Sequence, residues 1–212
     1  MKAQNKSAST DERLAEIYRT AALIILRKGY DATSVNDIAN ALGMTKAGLY
    51  HYINGKKELL FGIMNFGLDE LEEEVVTPAH AIADAGARLS FIIGSHARLV
   101  TRGQGAITIL VDEITALTPA QNRKITHRKR EYFDRLREVL NEIKAEGRLA
   151  DVDTTAAAFS LLGMIHWLSR WFRQDGALTE EQVAEEIAKI ALHGLLRPES
   201  RAPQRGLQVV KD

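Results

Sequence analysis

The segment from Thr33 to Lys56 carries side chains whose types and spacing suit contact with nucleic acid. Lys46 stands near the start of a short predicted helix, and its ammonium group can donate to the N7 and O6 acceptors of guanine. Tyr50 follows one turn later, where its ring can contact a thymine methyl group or its hydroxyl a phosphate. The alternative is a solvated lysine beside a packed tyrosine. We interpret the helix that starts at Thr45 as a candidate recognition helix.

A preceding helix and a tight turn are needed to hold this segment in place. Ser34 is a predicted N-cap, Asp37 is placed to complete a capping box, and an apolar face follows at Val35, Ile38, Ala39 and Leu42. Gly43 is expected to supply a turn where a side chain would crowd the helix crossing. The second helix faces inward with Ala47 or Gly48, Leu49 and Ile53. The pattern therefore predicts a helix-turn-helix motif over about residues 34–53.

These residues resemble the N-terminal domain of the TetR/AcrR family of transcriptional regulators, over about the first third of the chain. The landmarks occur in order as Ala21-Ala22, Leu26, Gly29-Tyr30, Thr33-Ser34, Asp37-Ile38-Ala39, Gly43, Leu49-Tyr50, Lys56 and Glu58-Leu59-Leu60. The chain departs from the family at His51-Tyr52-Ile53, where Tyr-His-Phe is usual. Gly55 also replaces the usual Ser or Thr cap.

The resemblance implies a role for each matching position on double-stranded operator DNA. Positions that match Lys46, Ala47 and Tyr50 usually face bases. Positions that usually face phosphates match Thr33, Ser34, Thr45, His51, Tyr52 and Lys56. Because the aromatic ring and the imidazole have exchanged places, either His51 or Tyr52 could be the one that contacts a phosphate.

Composition and periodicity predict an all-α protein of two domains with about nine helices. The 212 residues carry no net charge, but residues 1–60 hold nine Lys and Arg against six Asp and Glu, a surplus of +3 that suits DNA binding. No segment alternates with period two for long enough to form a strand. We expect a disordered arm (1–9), a DNA-binding domain (10–56), a ligand-binding and dimerisation domain (57–197) and a flexible tail (198–212).

Helix signals divide the larger domain into six predicted helices. The first continues from Gly55 to about Val76 and ends at Pro78; it would link the two domains mechanically. The others span about 79–101, 104–116, 119–146, 154–173 and 180–196. The polar start of the chain contains no apolar leader, and no run is long enough to span a membrane. We therefore expect a cytoplasmic protein with no membrane partner.

No catalytic residue, metal site or cofactor is predicted. The chain has no cysteine, and its six histidines include no HExxH motif. Asp112 and Glu113 are adjacent on a predicted helix, so they point in different directions and do not form a carboxylate pair.

The last two predicted helices indicate a homodimer. Apolar and small residues surround the axis of the segment FSLLGMIHWLSRWF, which is typical of a helix buried on two sides. The final helix presents a seam of Val183, Ile187, Ile190 and Gly194. Two such helices from each of two chains would form a four-helix bundle, whereas an ordinary monomer core is the alternative.

A small-molecule site is predicted where basic and aromatic residues cluster. Residues 123–137 carry seven Arg and Lys against two acidic residues, and tryptophans alternate with arginines near residue 170. The pattern suits an apolar group joined to phosphates, and it resembles TetR regulators that respond to fatty-acyl or steroid-derived coenzyme A (CoA) thioesters. The candidate ligand-binding residues are Leu110, Arg128, Arg130, Phe159, Met164, Trp167, Arg170 and Trp171.

The leading hypothesis is a dimeric repressor that binds a palindromic operator and is released by a small-molecule effector. One alternative is a multidrug-type repressor with a neutral or cationic lipophilic effector. Another is a helical small-molecule-binding protein or enzyme without a DNA role, which would need a nucleophile, base or cofactor loop that the sequence does not show.

Overall fold

A computed structural model of the protein describes residues 2–102, 105–110 and 116–196, with side chains from residue 11 onward. This part of the chain is helical, apart from turns and an isolated bridge between Leu149 and Leu196. The helices are α1 (Lys2–Lys28), α2 (Val35–Ala41), α3 (Lys46–Tyr50), α4 (Lys56–Leu71), α5 (Thr77–Ala79), α6 (Ala85–Thr101), α7 (Ala106–Ile109), α8 (Pro119–Ala145), α9 (Thr154–Trp171) and α10 (Glu180–Leu195). The all-α prediction is confirmed.

Helices α1, α2 and α3 form a small head. The hydroxyl of Ser34 accepts a hydrogen bond from the Asp37 amide, and the Asp37 carboxylate accepts one from the Ser34 amide, so the predicted capping box is present. Gly43 forms the turn with φ of +62°, and a Cβ there would meet nothing within 4 Å. The glycine is therefore required by its backbone angle and not, as predicted, by crowding.

Helix α4 extends from the head into the body. Leu59, Leu60 and Ile63 are buried near its start, and Leu68 and Leu71 are buried near its end. The chain then continues as a π-helical segment, Glu72–Val76, into the short helix α5. Pro78 lies inside α5 and does not end the helical path, in contrast to the prediction, because proline is tolerated in the first turn of a helix.

The body is built around α6. Helices α8, α9 and α10 pack against α6, while α4 contacts both α7 and α8. Helix α7 also contacts α1, so it lies between the head and the body. Gly67 of α4 allows the close approach of α7, because a Cβ at Gly67 would be 3.0 Å from the Ala106 carbonyl carbon.

Some predicted boundaries differ from the structure, and others fall outside it. Helix α1 begins at Lys2, although we expected residues 1–9 to be a disordered arm; residues 2–9 contain no Gly or Pro that would interrupt the helix. Helix α6 begins at Ala85, after an Asp84 cap, and not near residue 79. Asp112 and Glu113, with the rest of 111–115 and residue 104 of the predicted helix 104–116, lie outside the described residues, as does the tail 198–212.

A polar cluster lies between α6, α8 and α9. The fully buried His96 has its Nδ1 atom 2.9 Å from the Tyr132 hydroxyl, and its ring lies edge-on to that of His166, with centroids 5.2 Å apart. Burial lowers the pKa of His96 well below its ordinary value, with a smaller effect from His166. Burial and then the Lys129 charge lower the pKa of His166 to about 4. Both imidazoles are therefore neutral at neutral pH.

We expect these two histidines to make the folded state less stable in acid. Between pH 6.5 and about 4 the unfolded chain binds protons that the folded chain does not, so the free energy of unfolding falls as the pH falls. Each histidine can contribute up to about 1.4 kcal/mol per pH unit. His166→Asn should make this slope shallower, as measured by urea denaturation at pH 7, 6 and 5.

The comparison with wild type is needed because Glu70 has the opposite effect on the pH dependence of the free energy of unfolding. Burial is the main cause that raises the pKa of Glu70, so its contribution to stability increases as the pH falls. Its contribution is common to both proteins and cancels in the difference. Equal slopes for the two proteins would contradict the assignment of His166 as a group buried in its neutral form.

Candidate nucleic-acid interface and ligand cavity

Helix α3 presents its predicted base-facing residues to solvent. The Thr45 hydroxyl accepts a hydrogen bond from the Gly48 amide and caps the helix, while Leu49 is fully buried and anchors it to the head. Lys46 and Tyr50 are four residues apart and therefore lie on one helical face, and the Tyr50 side chain is 45% exposed. Ala47 beside them is exposed as well. The three residues predicted to face bases are thus accessible together.

Several predicted phosphate-facing residues are also at the surface. Ser34, Thr45, His51 and Tyr52 are all exposed. The Thr45 hydroxyl uses its oxygen as an acceptor in the cap, which leaves its proton for an outside partner. His51 and Tyr52 are both accessible at the end of α3, so either can reach a phosphate.

Two predicted phosphate contacts are engaged within the head. Thr33 is buried, and its hydroxyl donates to the Gly29 carbonyl at 2.8 Å, so the assignment of its side chain to phosphate is wrong. The side chain instead closes the turn between α1 and α2. Lys56 donates to the Asp31 carbonyl at 3.2 Å, and its ammonium lies 4.2 Å from the centre of the Tyr30 ring. A phosphate would have to compete with these contacts.

A cavity of about 670 Å³ lies in the body between five helices. Helix α4 contributes Leu68 and Leu71, α7 contributes Ile107 and is followed by its C-cap Leu110, and α6 contributes His96. The remaining wall comes from α8 and α9, and its residues are Thr126, Lys129, Arg130, Tyr132, Phe133, Asp134, Arg137, Thr155, Phe159, Leu162, Gly163 and His166. A mostly apolar wall with a few polar groups is typical of a small-molecule site.

The charged residues of the cavity wall are mainly basic. Lys129 donates to the Leu110 carbonyl at 2.7 Å, and Arg137 pairs with Asp134 at 2.9 Å. Burial lowers the pKa of Lys129. Arg130 is exposed and makes no hydrogen bond or ion pair with any residue that the structure describes. The cavity can therefore offer a guanidinium to an anion.

The predicted ligand residues are divided between the cavity and other surfaces. Leu110, Arg130 and Phe159 line the cavity. Arg128 does not, because it donates to the Asn65 side chain at 2.9 Å and pairs with Asp69 at 2.7 Å. It connects α8 to α4 and is not a ligand residue in this structure.

The aromatic part of the ligand prediction is wrong for the α9 residues beyond Phe159. The cavity face of α9 is Phe159, Leu162, Gly163 and His166, at helical spacing. Trp167 and Trp171 lie on another face and are 65% and 47% exposed. Met164 is half-buried away from the cavity wall, and Arg170 is exposed.

Sequence reasoning missed the polar part of the cavity wall. His96 and Tyr132 come from α6 and α8 and are brought together only by packing. Lys129 and Arg137 lie in the basic stretch from which we selected Arg128 and Arg130. The sequence does contain one indication of this wall. Phe133, Asp134 and Arg137 follow Arg130 at i+3, i+4 and i+7, which places all four residues on one face of the helix.

The predicted dimer seam on α10 is also divided. Val183 is buried in the body, so the prediction that it lies in a dimer interface is wrong: its side chain faces the protein's own core. Ile187 is half-buried, whereas Ile190 is 60% exposed and Gly194 is exposed. The exposed large apolar residues of the last two helices are Trp167, Trp171 and Ile190, together with Phe159, which also lines the cavity.

Among the side chains described in 11–102, 105–110 and 116–196, no three His, Asp or Glu residues are grouped as metal ligands. None of the helices in the described part of the chain is long and apolar enough to cross a membrane.

The two parts of the chain match known family models, and most of the chain matches a known repressor. Residues 17–63 match the model of bacterial regulatory proteins of the tetR family, and residues 83–195 match a tetracyclin repressor-like C-terminal domain. The chain is 28% identical over 191 residues to the HTH-type transcriptional repressor KstR2 of Rhodococcus jostii, which covers 88% of this chain and 92% of the relative.

Solved structures show the same fold. AibR, crystallised in complex with isovaleryl coenzyme A and operator DNA, is 42% identical, with a TM-score of 0.75 over 84% of this chain and 97% of AibR. KstR2 of Mycobacterium tuberculosis, a ketosteroid transcriptional regulator, is 25% identical, with a TM-score of 0.79 over 88% of this chain and 96% of that protein. This chain belongs to the TetR family of bacterial transcriptional regulators.

Proposed function

We propose that the protein is a homodimeric repressor that binds a palindromic operator through α3 and is released by a small-molecule effector in the cavity. The observation that carries this proposal is the course of α4. This helix begins beside the DNA-facing residues at Lys56 and lines the cavity at Leu68 and Leu71. A ligand that prefers one position of α4 would therefore change the operator affinity of the head.

The proposed DNA contacts follow from exposure. Lys46, Ala47 and Tyr50 would face bases in the major groove, with phosphate contacts from Ser34, Thr45, His51 and Tyr52. Lys56 would contact a phosphate only by exchanging its present partners. Such a regulator would act in the cytoplasm, where the DNA is.

Helix α8 is the second connection between cavity and head. One side of α8 supplies cavity residues, including Lys129 and Phe133. Another side is tied along α4 and the π-helical segment by three contacts: Gln121 to Glu58 at 2.7 Å, Arg128 to Asp69 at 2.7 Å and Arg135 to Glu72 at 2.8 Å. A ligand that displaces α8 would therefore also displace α4.

The proposed dimer uses the exposed apolar residues of α9 and α10. Trp167, Trp171 and Ile190 are large side chains that an isolated chain would leave in water. Two copies related by a two-fold axis would bury these residues in a four-helix bundle. The same axis would place the two α3 helices on half-sites about one helical turn apart.

The proposed effector is an acyl-CoA thioester. The apolar wall would hold the acyl group, and Arg130 would bind a phosphate at the cavity margin, with Arg137 nearby in sequence and on the same face. The crystallised AibR complex with isovaleryl coenzyme A supports this choice. A multidrug-type regulator with a lipophilic effector is the alternative, because most of the wall is apolar.

Lys46→Ala and Tyr50→Ala should weaken operator binding without changing the fold. Loss of a base contact costs about 1 to 3 kcal/mol, or roughly 5- to 150-fold in affinity. The measurement is a gel-shift titration with operator DNA from the protein's own genome. Lys189→Ala on α10 removes the same charge far from α3 and should bind normally; unchanged affinity of both α3 variants would refute the recognition-helix assignment.

Ile190→Glu should convert the dimer into monomers, because a carboxylate would be buried in the bundle without a partner. Sedimentation at micromolar concentration measures the effect. Lys189→Glu is a matched control: it introduces a carboxylate one residue away, on a different helical face, and should remain dimeric. A monomeric wild-type protein under these conditions would refute the dimer and the palindromic operator with it.

Arg130→Ala should weaken the binding of octanoyl-CoA about tenfold, because a charge-assisted contact with phosphate is lost. An uncharged lipophile such as butyrophenone should bind equally to both proteins. Lys124→Ala on α8 removes a charge that is not in the cavity wall and serves as the control. If calorimetry showed tight binding of the uncharged compound alone, or no effect of Arg130→Ala, the multidrug alternative would be favoured.

A further inference from the structure

The cavity wall contains a buried hydrogen-bonding atom that has no partner. His96 lines the cavity and is 0% exposed. Its Nδ1 atom is paired with the Tyr132 hydroxyl, but its Nε2 atom has no hydrogen-bond partner among the described residues. Leaving a buried polar atom unpaired costs about 1 to 3 kcal/mol. A leucine or phenylalanine would fill the same space without this cost, so packing alone does not account for a histidine.

The pairing with Tyr132 indicates which form of His96 is present. If Nδ1 carried the proton and donated to the tyrosine oxygen, both the tyrosine O–H and the Nε2 lone pair would remain unpaired. If the tyrosine donates to Nδ1, only the Nε2 N–H remains unpaired. The second arrangement leaves fewer buried groups unsatisfied. His96 therefore holds a buried N–H donor beside the cavity, and this donor has no acceptor among the described residues.

The surroundings of His96 favour an uncharged acceptor. The neighbouring imidazole of His166 is neutral, because burial and the Lys129 charge lower its pKa to about 4. Leu68, Leu71 and Leu162 supply apolar surface to the same cavity. A carboxylate bonded to His96 would lose its hydration and gain only a neutral N–H from this residue, whereas a carbonyl oxygen loses much less.

We infer that His96 Nε2 donates a hydrogen bond to a carbonyl oxygen of the effector, so that the cavity selects acyl or keto compounds over alkyl compounds of the same length. This inference rests on the effector site proposed above. The carbonyl can belong to the thioester or to a ketone further along the chain. Tyr132 acts as a positioning residue, because it holds His96 in the tautomer with the proton on Nε2.

Calorimetry of the full-length protein with matched ligands tests the inference. Octanoyl-CoA contains the thioester carbonyl, S-octyl-CoA lacks it, and an S-(oxooctyl)-CoA moves it into the chain. Wild type should bind octanoyl-CoA about tenfold more tightly than S-octyl-CoA. If S-(oxooctyl)-CoA is instead the tighter ligand, the recognised carbonyl lies in the chain. Equal binding of all three would overturn the inference.

Variants assign the preference to His96. His96→Phe should bind octanoyl-CoA and S-octyl-CoA alike, whereas His96→Gln, which retains an N–H donor, should keep part of the preference. Tyr132→Phe should reduce it, and this variant tests the inference even if His96→Phe does not fold. Leu162→Ala is the control and should weaken both ligands equally. If both His96→Phe and Tyr132→Phe still preferred octanoyl-CoA to S-octyl-CoA, another group would be the one that binds the carbonyl.

A pair of uncharged ligands separates failure of this inference from failure of the proposed effector class. Butyrophenone and butylbenzene differ by one carbonyl oxygen and lack CoA. If no CoA compound binds but wild type prefers butyrophenone and His96→Phe does not, the CoA proposal is wrong and the carbonyl contact stands. If wild type binds CoA compounds but shows no carbonyl preference in either series, only the present inference is wrong.

Discussion

The close packing of α4 against α7 is the contact on which the relation between the two domains depends. Gly67 brings the backbones so near that a Cβ would be 3.0 Å from Ala106. Helix α7 in turn contacts α1, and Ile107 of α7 and its C-cap Leu110 line the cavity. Head, α7 and cavity wall thus share one densely packed region. Such regions change between discrete arrangements and do not deform gradually.

The charges on α8 show how a basic stretch is used in two ways. Arg128 and Arg135 are committed to acidic partners on α4 and the π-helical segment. Arg130, between them in sequence, lines the cavity and makes no hydrogen bond or ion pair with the residues that the structure describes. Isolated surface ion pairs contribute about 0 to 1 kcal/mol each. Their importance here is that they fix which side of α8 faces α4 and which side faces a ligand.

Local signals in the sequence were sufficient for the head. The capping box at Ser34, the glycine turn and the anchoring Leu49 are each specified within a few residues, and the structure confirms them. Thr33 was misassigned because a motif position does not show whether a hydroxyl is already bonded, here to the Gly29 carbonyl.

The body could be predicted as helices but not as a site. Helix α9 is apolar on several sides, so its period does not reveal which side meets the cavity; this is why Trp167 was placed there and His166 was not. Val183 was assigned to a dimer seam for the same reason, since only packing against α6 shows that it is buried. The pair His96–Tyr132 joins residues 36 positions apart on different helices, and no local pattern connects them.

The π-helical segment Glu72–Val76 has a consequence for stiffness. It begins directly after Leu71, where α4 leaves the cavity wall. On the other side of the cavity, α4 runs back to Lys56 as regular helix over about 22 Å. A π turn has a wider, less favourable hydrogen-bond geometry than an α turn and is therefore the more compliant end of this helical path. A ligand that pushes on Leu68 and Leu71 would therefore meet a more easily deformed segment toward α5 and a regular helix toward the head. The displacement would then pass along α4 to the head.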